Sequence, residues 1–224
     1  MTARDDILAA VRAVRAGLGG AGHAAVDADA LRREAAALLD DPDAIRPALA
    51  AGQLADVFAA RLLSPKVVGA SVDRIAAVAG FPAAVKRYLD AQGLAPSIAL
   101  QPSPALQALD WTGFDLRDAL APDEPAGVGI ARWAVAETGS LVFHSGADTP
   151  ILASFLPLHH IVLLRAETIV AHLEDYAAFA ATGEAQPRNV NLITGASGTT
   201  DIEGMLVRGA HGPRFLHVVI AGEG

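Results

Sequence analysis

The sequence contains no cysteine among its 224 residues. This absence excludes disulfide bonds, a thiolate nucleophile, and the thiolate ligands of an iron–sulfur cluster or a cysteine-type zinc site. The seven histidines do not show the spacing of a metal-binding motif. We therefore predict no metal site and no cofactor bound by this chain, so that any iron–sulfur cluster needed for function would belong to a partner protein.

Clustered positive charge and long apolar runs are missing as well. The formal net charge is −8 and the arginines are scattered, which argues against binding to nucleic acid or to an anionic membrane surface. The most apolar stretch, residues 141–164, contains Asp148, three histidines and two prolines, so it is not a membrane span. The first residues are polar and unlike a signal peptide, and we expect a cytoplasmic protein.

Aromatic residues make up only 5% of the chain while 52% is apolar, which predicts an aliphatic core. Apolar residues recur at helical spacing in the first 63 residues, and short apolar runs alternate with helical segments from Pro65 onward. This pattern predicts a layered α/β fold with a largely parallel sheet covered on both faces, preceded by an N-terminal helical segment.

The boundaries follow from the same pattern. The first predicted helix has its apolar residues between positions 7 and 18, starts within residues 2–5 and stops at Gly19-Gly20. The other predicted helices are 29–39, 53–63, 82–91, 168–181 and 201–207, and residues 101–125 are predicted to be an irregular connection with a short helix. The predicted strands are 67–70, 97–100, 128–131, 140–143, 160–164, 189–194 and 215–220.

One loop, residues 195–201, carries the strongest local signal. It lies between a predicted strand and a predicted helix, where ligands bind in open α/β sheets and where free amides attract anions. It has neither the lysine of a phosphate-binding Walker loop nor the dinucleotide glycine pattern. The residues that we expect to contact an anion are Gly195, Ser197, Gly198, Thr199 and Thr200.

The same loop has a purely structural interpretation, which stays open. Thr199 or Thr200 would cap the following helix, and Asp201 and Glu203 would complement its dipole. On a helix, positions i and i+2 lie about 200° apart, so only one of these two carboxylates is expected to face a site.

Two further segments are candidates for acid–base chemistry. His211, between Ala210 and Gly212, is placed for proton transfer or hydrogen bonding, or else caps backbone carbonyls. Glu137 has apolar neighbours, and burial there would raise its pKa; alternatively it accepts hydrogen bonds from the turn that follows. That turn adds the candidate contacts Thr138, Gly139 and Ser140.

The remaining histidines and one arginine carry weaker signals. His159 and His160 are adjacent on an extended segment and should point to opposite faces, so at most one can join a site. Arg132 could be a substrate-binding cation beside Trp133, or could pack its stem on that ring. Four others are expected to be solvent-facing or structural: His23, His144, His172 and His217.

Taken in order, these motifs resemble those of the LUD-domain family, which includes the LutC/YkgG-type lactate utilization proteins. The resembling segments are 129–131 with 136–142, 156–161, 195–203 and 206–213. One departure is that Ala196 and Gly198 stand where the family loop usually has proline and a larger polar or basic residue. An anion bound at this loop would therefore be held by amides and hydroxyls.

The resemblance implies a fold of the NagB/RpiA/CoA-transferase-like superfamily, with a LUD-type domain over 64–224 and a helical segment over 1–63. It implies a role in oxidising L-lactate to pyruvate beside cysteine-rich iron–sulfur proteins, with a small carboxylic acid as ligand. We hypothesise catalytic roles for Glu137, His211 and Asp201, and ligand contacts from Glu203, Gly212 and the loop and turn residues named above. The alternatives are a stand-alone CoA-transferase or sugar-phosphate isomerase, and a non-catalytic regulatory module that binds small acids.

Overall fold

The computed structural model describes residues 3–20, 27–39, 46–65, 67–117, 120–181, 187–200 and 203–222. The chain divides into two compact units, Met1–Pro47 and Ala48–Gly224. Within the described ranges, no helix combines the length and the apolar character needed to cross a membrane.

The first unit contains helices α1 (Ala3–Gly20) and α2 (Ala28–Leu39). Both were predicted from the apolar spacing. The carboxylate of Asp27 accepts hydrogen bonds from the backbone N–H groups of Asp29 and Ala30, which caps the start of α2.

The second unit contains four helices and twelve strands within its described residues. The helices are α3 (Leu54–Leu62), α4 (Phe81–Ala91), α5 (Pro104–Gln107) and α6 (Leu173–Ala181), with 3₁₀ turns at Val78–Gly80, Ile151–Ser154 and Ala166–Thr168. The strands are β1 (Ala70–Ile75), β2 (Ser97–Leu100), β3 (Asp115–Arg117), β4 (Ala126–Ile130), β5 (Trp133–Val135), β6 (Ser140–His144), β7 (His159–Arg165), β8 (Ile169–Val170), β9 (Val190–Ile193), β10 (Gly198–Thr200), β11 (Leu206–Arg208) and β12 (Phe215–Ala221).

Six strands form an all-parallel sheet in the order β1-β12-β7-β4-β2-β3, which confirms the predicted layered α/β class. Strands β7 and β12 lie in the interior of this sheet and are buried on both faces, as a sheet covered on both sides requires. On one face, α4 buries Phe81, Val85 and Leu89 against the sheet.

The other face is covered by α3 and by a second sheet of order β8-β5-β6-β9. Phe58 and Leu62 of α3 are fully buried there, so this helix is part of the Ala48–Gly224 unit. On the outer side of the second sheet, α6 packs Tyr176 against Val135 and Val142.

The predicted helix over 201–207 is wrong. Gly198–Thr200 and Leu206–Arg208 form an antiparallel hairpin instead. The β-branched residues Thr199, Thr200 and Val207 favour strands, and Gly204 adopts a positive φ of 81° between them.

Three other boundaries differ from the sequence prediction. The first strand begins at Ala70 rather than Val67 and continues to Ile75. The helix expected from Thr168 begins only at Leu173, because Ile169 and Val170 pair with β5. The connection expected to be irregular contains the short strand β3 in addition to α5.

Three histidines are buried in the parallel sheet, on opposite faces as the alternation predicts. His159 Nδ1 and Tyr88 Oη of α4 form a 2.9 Å hydrogen bond, and the ring of His217 stacks on the ring of the same tyrosine. His160 lies on the other face, with its ring centroid 5.6 Å from that of Phe143. His217, expected to be solvent-facing or structural, is buried, and its Nδ1 is 2.8 Å from Ser71 Oγ.

Burial lowers the pKa of both His160 and His217 to about 4. For the pKa of His217, the charge of Asp73 opposes this shift, whereas the charge of Arg87 adds to it. Since the ordinary pKa is 6.5, the unfolded chain binds more protons than the folded chain between these two values. We predict that the free energy of unfolding falls as the pH is lowered from about 6.5 toward 4. The slope contributed by each histidine approaches about 1.4 kcal/mol per pH unit.

Urea denaturation between pH 7 and 5 measures this slope. The H217Q variant should show a shallower dependence than the wild-type protein, whereas H211Q, which changes an exposed histidine, should leave the dependence unchanged. Equal slopes in all three proteins would contradict the assignment.

Close packing against β4 requires glycine at two positions. A Cβ on Gly127 would overlap Pro157 Cγ and lie 3.0 Å from its Cβ, and a Cβ on Gly129 would lie 2.8 Å from Gln101 Oε1. At Gly127 the overlapping atom belongs to the rigid ring of Pro157, which cannot move aside as a flexible side chain can.

We predict that G127A lowers the free energy of unfolding by about 1–3 kcal/mol because of this overlap. The matched variant G80A introduces a Cβ with only ordinary contacts, the nearest being Ile75 Cβ at 3.8 Å, and should change stability by less than about 1 kcal/mol. Urea denaturation of both variants checks the prediction, and equal effects would refute it.

Candidate functional site

Glu137 and His172 form an ion-pair-type contact, with 3.3 Å between Glu137 Oε2 and His172 Nδ1. Strands β5 and β8 are parallel and pair Val135 with Val170, so the residues two positions further along each strand lie side by side. The backbone pairing continues to this point, where the N–H of Glu137 donates to the carbonyl of Ala171 at 3.0 Å. The two side chains are only 19% and 13% exposed.

Helix α3 holds the backbone of this pair from the other side. Arg61 Nε donates a 2.7 Å hydrogen bond to the Glu137 carbonyl. Gly139, with a φ of 71°, packs so closely on α3 that a Cβ there would lie 3.1 Å from the Leu62 nitrogen. A cavity of about 290 Å³ lies beside the pair, lined by Glu137, Arg61, Ser64 and apolar residues of the 48–60 segment.

Next to the pair along the chain, three hydroxyl groups form a continuous chain, called the hydroxyl chain below. Thr138 Oγ1 is 2.6 Å from Ser140 Oγ, which is 2.6 Å from Thr194 Oγ1. The antiparallel register of β6 and β9, with Leu141 opposite Ile193, places Ser140 beside Thr194. Two predicted elements, the 138–140 turn and the 195–200 loop, thus meet through Thr194.

The loop that begins at Gly195 uses its first amides within the fold. The N–H of Ala196 donates to the Val68 carbonyl at 2.7 Å, and the N–H of Ser197 donates to the Pro213 carbonyl at 2.8 Å. Gly195 has a φ of 77°, and a Cβ there would lie 2.8 Å from the Val68 oxygen. These amides bind protein carbonyls, and the strand at Gly198–Thr200 removes the helix N-terminus on which the anion argument depended.

Gly212 lies beside the same loop, since a Cβ on it would be 3.3 Å from Ser197 Cβ. His211 and Glu203 are exposed, and within the described residues no hydrogen bond joins His211 to Glu137 or to the hydroxyl chain. Asp201 lies outside the described residues. In the structure, the hydroxyl chain that contains Thr138 and Ser140 directly follows Glu137 in the sequence, while the roles proposed for His211, Glu203 and Asp201 stay predictions.

Two side chains of this site were missed by sequence reasoning. Thr194 was included only as the end of a strand, and His172 was considered a residue without chemical context. The β-branched pair Ile169–Val170 was the available signal for His172, because a short strand there places the next residues at a strand end.

Comparison with known proteins gives consistent results. The LUD domain family model matches residues 19–221. Lactate utilization protein C of Halalkalibacterium halodurans is 36% identical over 104 residues, which is 43% of this chain and 45% of that protein. YkgG of Escherichia coli, named as uncharacterized, is 33% identical over 120 residues, 50% of this chain and 52% of that protein. The chain thus matches about half the length of these curated relatives.

A solved structure supports the fold. The crystal structure of a DUF162 family protein from Deinococcus radiodurans superposes with a TM-score of 0.52, at 23% identity, over 75% of this chain and 96% of that one. Because the LUD domain model extends over residues 19–221, which is most of the chain, the protein belongs to the LUD-domain family.

Proposed function

We propose that this protein serves lactate utilization, as a substrate-binding or accessory subunit in the oxidation of L-lactate to pyruvate. Relatives from Halalkalibacterium halodurans, Deinococcus radiodurans and Bacillus subtilis carry the name lactate utilization protein C, which supports the pathway. The single structural observation that favours a direct part in the reaction is the contact between Glu137 and His172.

A carboxylate beside one imidazole nitrogen orients the ring and stabilises its protonated form, as in other acid–base pairs. With Nδ1 of His172 held by Glu137, Nε2 is the nitrogen that would take the hydroxyl proton of lactate. Two of the three protons of the hydroxyl chain are used in its internal hydrogen bonds, and the remaining O–H group would donate one hydrogen bond to the carboxylate of the same molecule.

Oxidation of lactate to pyruvate also removes two electrons and the hydrogen on the hydroxyl-bearing carbon. A chain without cysteine does not hold an iron–sulfur cluster through thiolates. We therefore assign the acceptor of the two electrons and of the carbon-bound hydrogen to cysteine-rich iron–sulfur partner proteins, so that this chain supplies substrate contacts and accepts the hydroxyl proton.

The first test replaces the pair in a lactate oxidation assay reconstituted with the iron–sulfur partner proteins. E137Q and H172Q should each lower kcat by about 100-fold or more, the usual effect of removing a general base. E167Q alters an exposed carboxylate and serves as the matched control, which should keep wild-type kcat. Wild-type kcat in both E137Q and H172Q would eliminate the proton-transfer role.

The second test omits the chain from the same assay. We expect the partner proteins alone to oxidise L-lactate at well below the rate of the complete system. Full activity without this chain would exclude a subunit role, and turnover of a sugar phosphate or an acyl-CoA by the purified chain alone would favour a stand-alone enzyme.

A further inference from the structure

A second cavity, of about 390 Å³, lies at the carboxyl edge of the parallel sheet. Its walls include Ile130 and Arg165, the last residues of β4 and β7, and Ser103, which follows β2. These three strands are neighbours or near neighbours in the sheet. The carboxyl edge is where open α/β sheets bind their ligands. This cavity is called the arginine cleft below.

Among the described residues, two arginines line the arginine cleft, Arg132 and Arg165. The Nε atom of Arg165 is buried and has no hydrogen-bond partner within the described part of the chain. A buried donor without an acceptor costs free energy, and an anion in the cleft would provide that acceptor. Asp148 adds one carboxylate, so the described lining residues contain two arginines and one acidic side chain.

The hydroxyl groups in the arginine cleft are oriented by the protein. Thr149 Oγ1 donates to the His144 carbonyl at 2.6 Å, and Thr168 Oγ1 donates to the Arg165 carbonyl at 2.8 Å. Because their protons are used, each oxygen would serve a ligand in the cleft only as a hydrogen-bond acceptor. A ligand that satisfies this lining has an anionic group for the guanidiniums and hydroxyl groups for the threonines.

The remaining wall is also fixed by hydrogen bonds. His144 Nε2 is 2.7 Å from Tyr176 Oη, and Gln101 Nε2 donates to the carbonyl of Asp148 at 3.0 Å. Burial raises the pKa of Tyr176, and the charge of Arg132 opposes that rise, which places this guanidinium within electrostatic reach of the wall. The cleft is therefore a formed site whose polar groups are already oriented.

We propose that the arginine cleft binds a hydroxylated organic oxyanion, through Arg132 and Arg165, at a site separate from the Glu137–His172 pair. Planar guanidiniums form paired hydrogen bonds with both carboxylates and phosphates, so a hydroxy acid and a sugar phosphate share the required chemistry. The site does not depend on the function proposed above, since neither arginine contacts Glu137 or His172 in the hydrogen bonds described.

Isothermal titration calorimetry at low ionic strength tests the proposal with four probes: L-lactate, D-glycerate, glycerol 3-phosphate and inorganic phosphate. We expect at least one probe to bind the wild-type chain, and R165Q to weaken that binding by about tenfold or more. R165K keeps the positive charge but lacks the planar guanidinium group, so its affinity for the probe should lie between those of the wild type and R165Q. R208Q removes an exposed arginine of β11 that does not line the cleft and should bind like the wild type.

The choice among probes distinguishes the two sources of the oxyanion, since binding of the acids alone indicates a carboxylate ligand and binding of the phosphates alone a phosphorylated one. R132Q provides a second variant should R165Q fail to fold, which circular dichroism would detect. Absence of binding by all four probes, or equal affinity in R165Q, R132Q and the wild type, would overturn the proposal. The two proposals can also be distinguished in the lactate oxidation assay. Activity that is lost in H172Q but kept in full by R165Q would show that the arginine cleft is not needed for the proposed function.

Discussion

The seven-residue parallel pairing of β7 with β12 is the contact on which the other elements depend. Both strands bury apolar residues on both faces, so neither face can remain in contact with water. Helix α4 covers one face, while α3 and the second sheet cover the other. The two layers are therefore consequences of an interior strand pair that is buried on both sides.

The same central sheet explains how the Glu137–His172 pair forms. Strand β4 is followed directly by β5, and β7 is followed by β8 after one 3₁₀ turn. Because β4 and β7 are parallel neighbours, their continuations β5 and β8 are also parallel neighbours in the second sheet. The acid and the histidine meet at the ends of these continuations, although they lie 35 positions apart in the sequence.

Sequence reasoning predicted the elements with strong local patterns. Strands β2, β6, β7, β9 and β12 and helix α4 agree with the predicted positions to within one or two residues, since apolar runs and their flanking residues define them locally. Residues 201–207 were predicted as a helix because Thr199 or Thr200 would cap it and the acidic residues would complement its dipole. Strand pairing decided otherwise, since Leu206 and Val207 pair with Thr200 and Thr199. Three site residues, Glu137, Thr138 and Ser140, could be identified from their own sequence segment. His172 and Thr194 join the site only through the register between strands, and the sequence of one segment does not specify that register.

Helix α3 contributes both to the hydrophobic core and to the candidate site. Its apolar residues Phe58 and Leu62 complete the core, and Arg61 on the same helix binds the carbonyl of Glu137. A segment that replaces this helix must therefore supply both an apolar surface that fits the core and a hydrogen-bond donor for the Glu137 carbonyl. Recombination on the N-terminal side of Ala48, by contrast, would leave the α/β unit with its own covering helix.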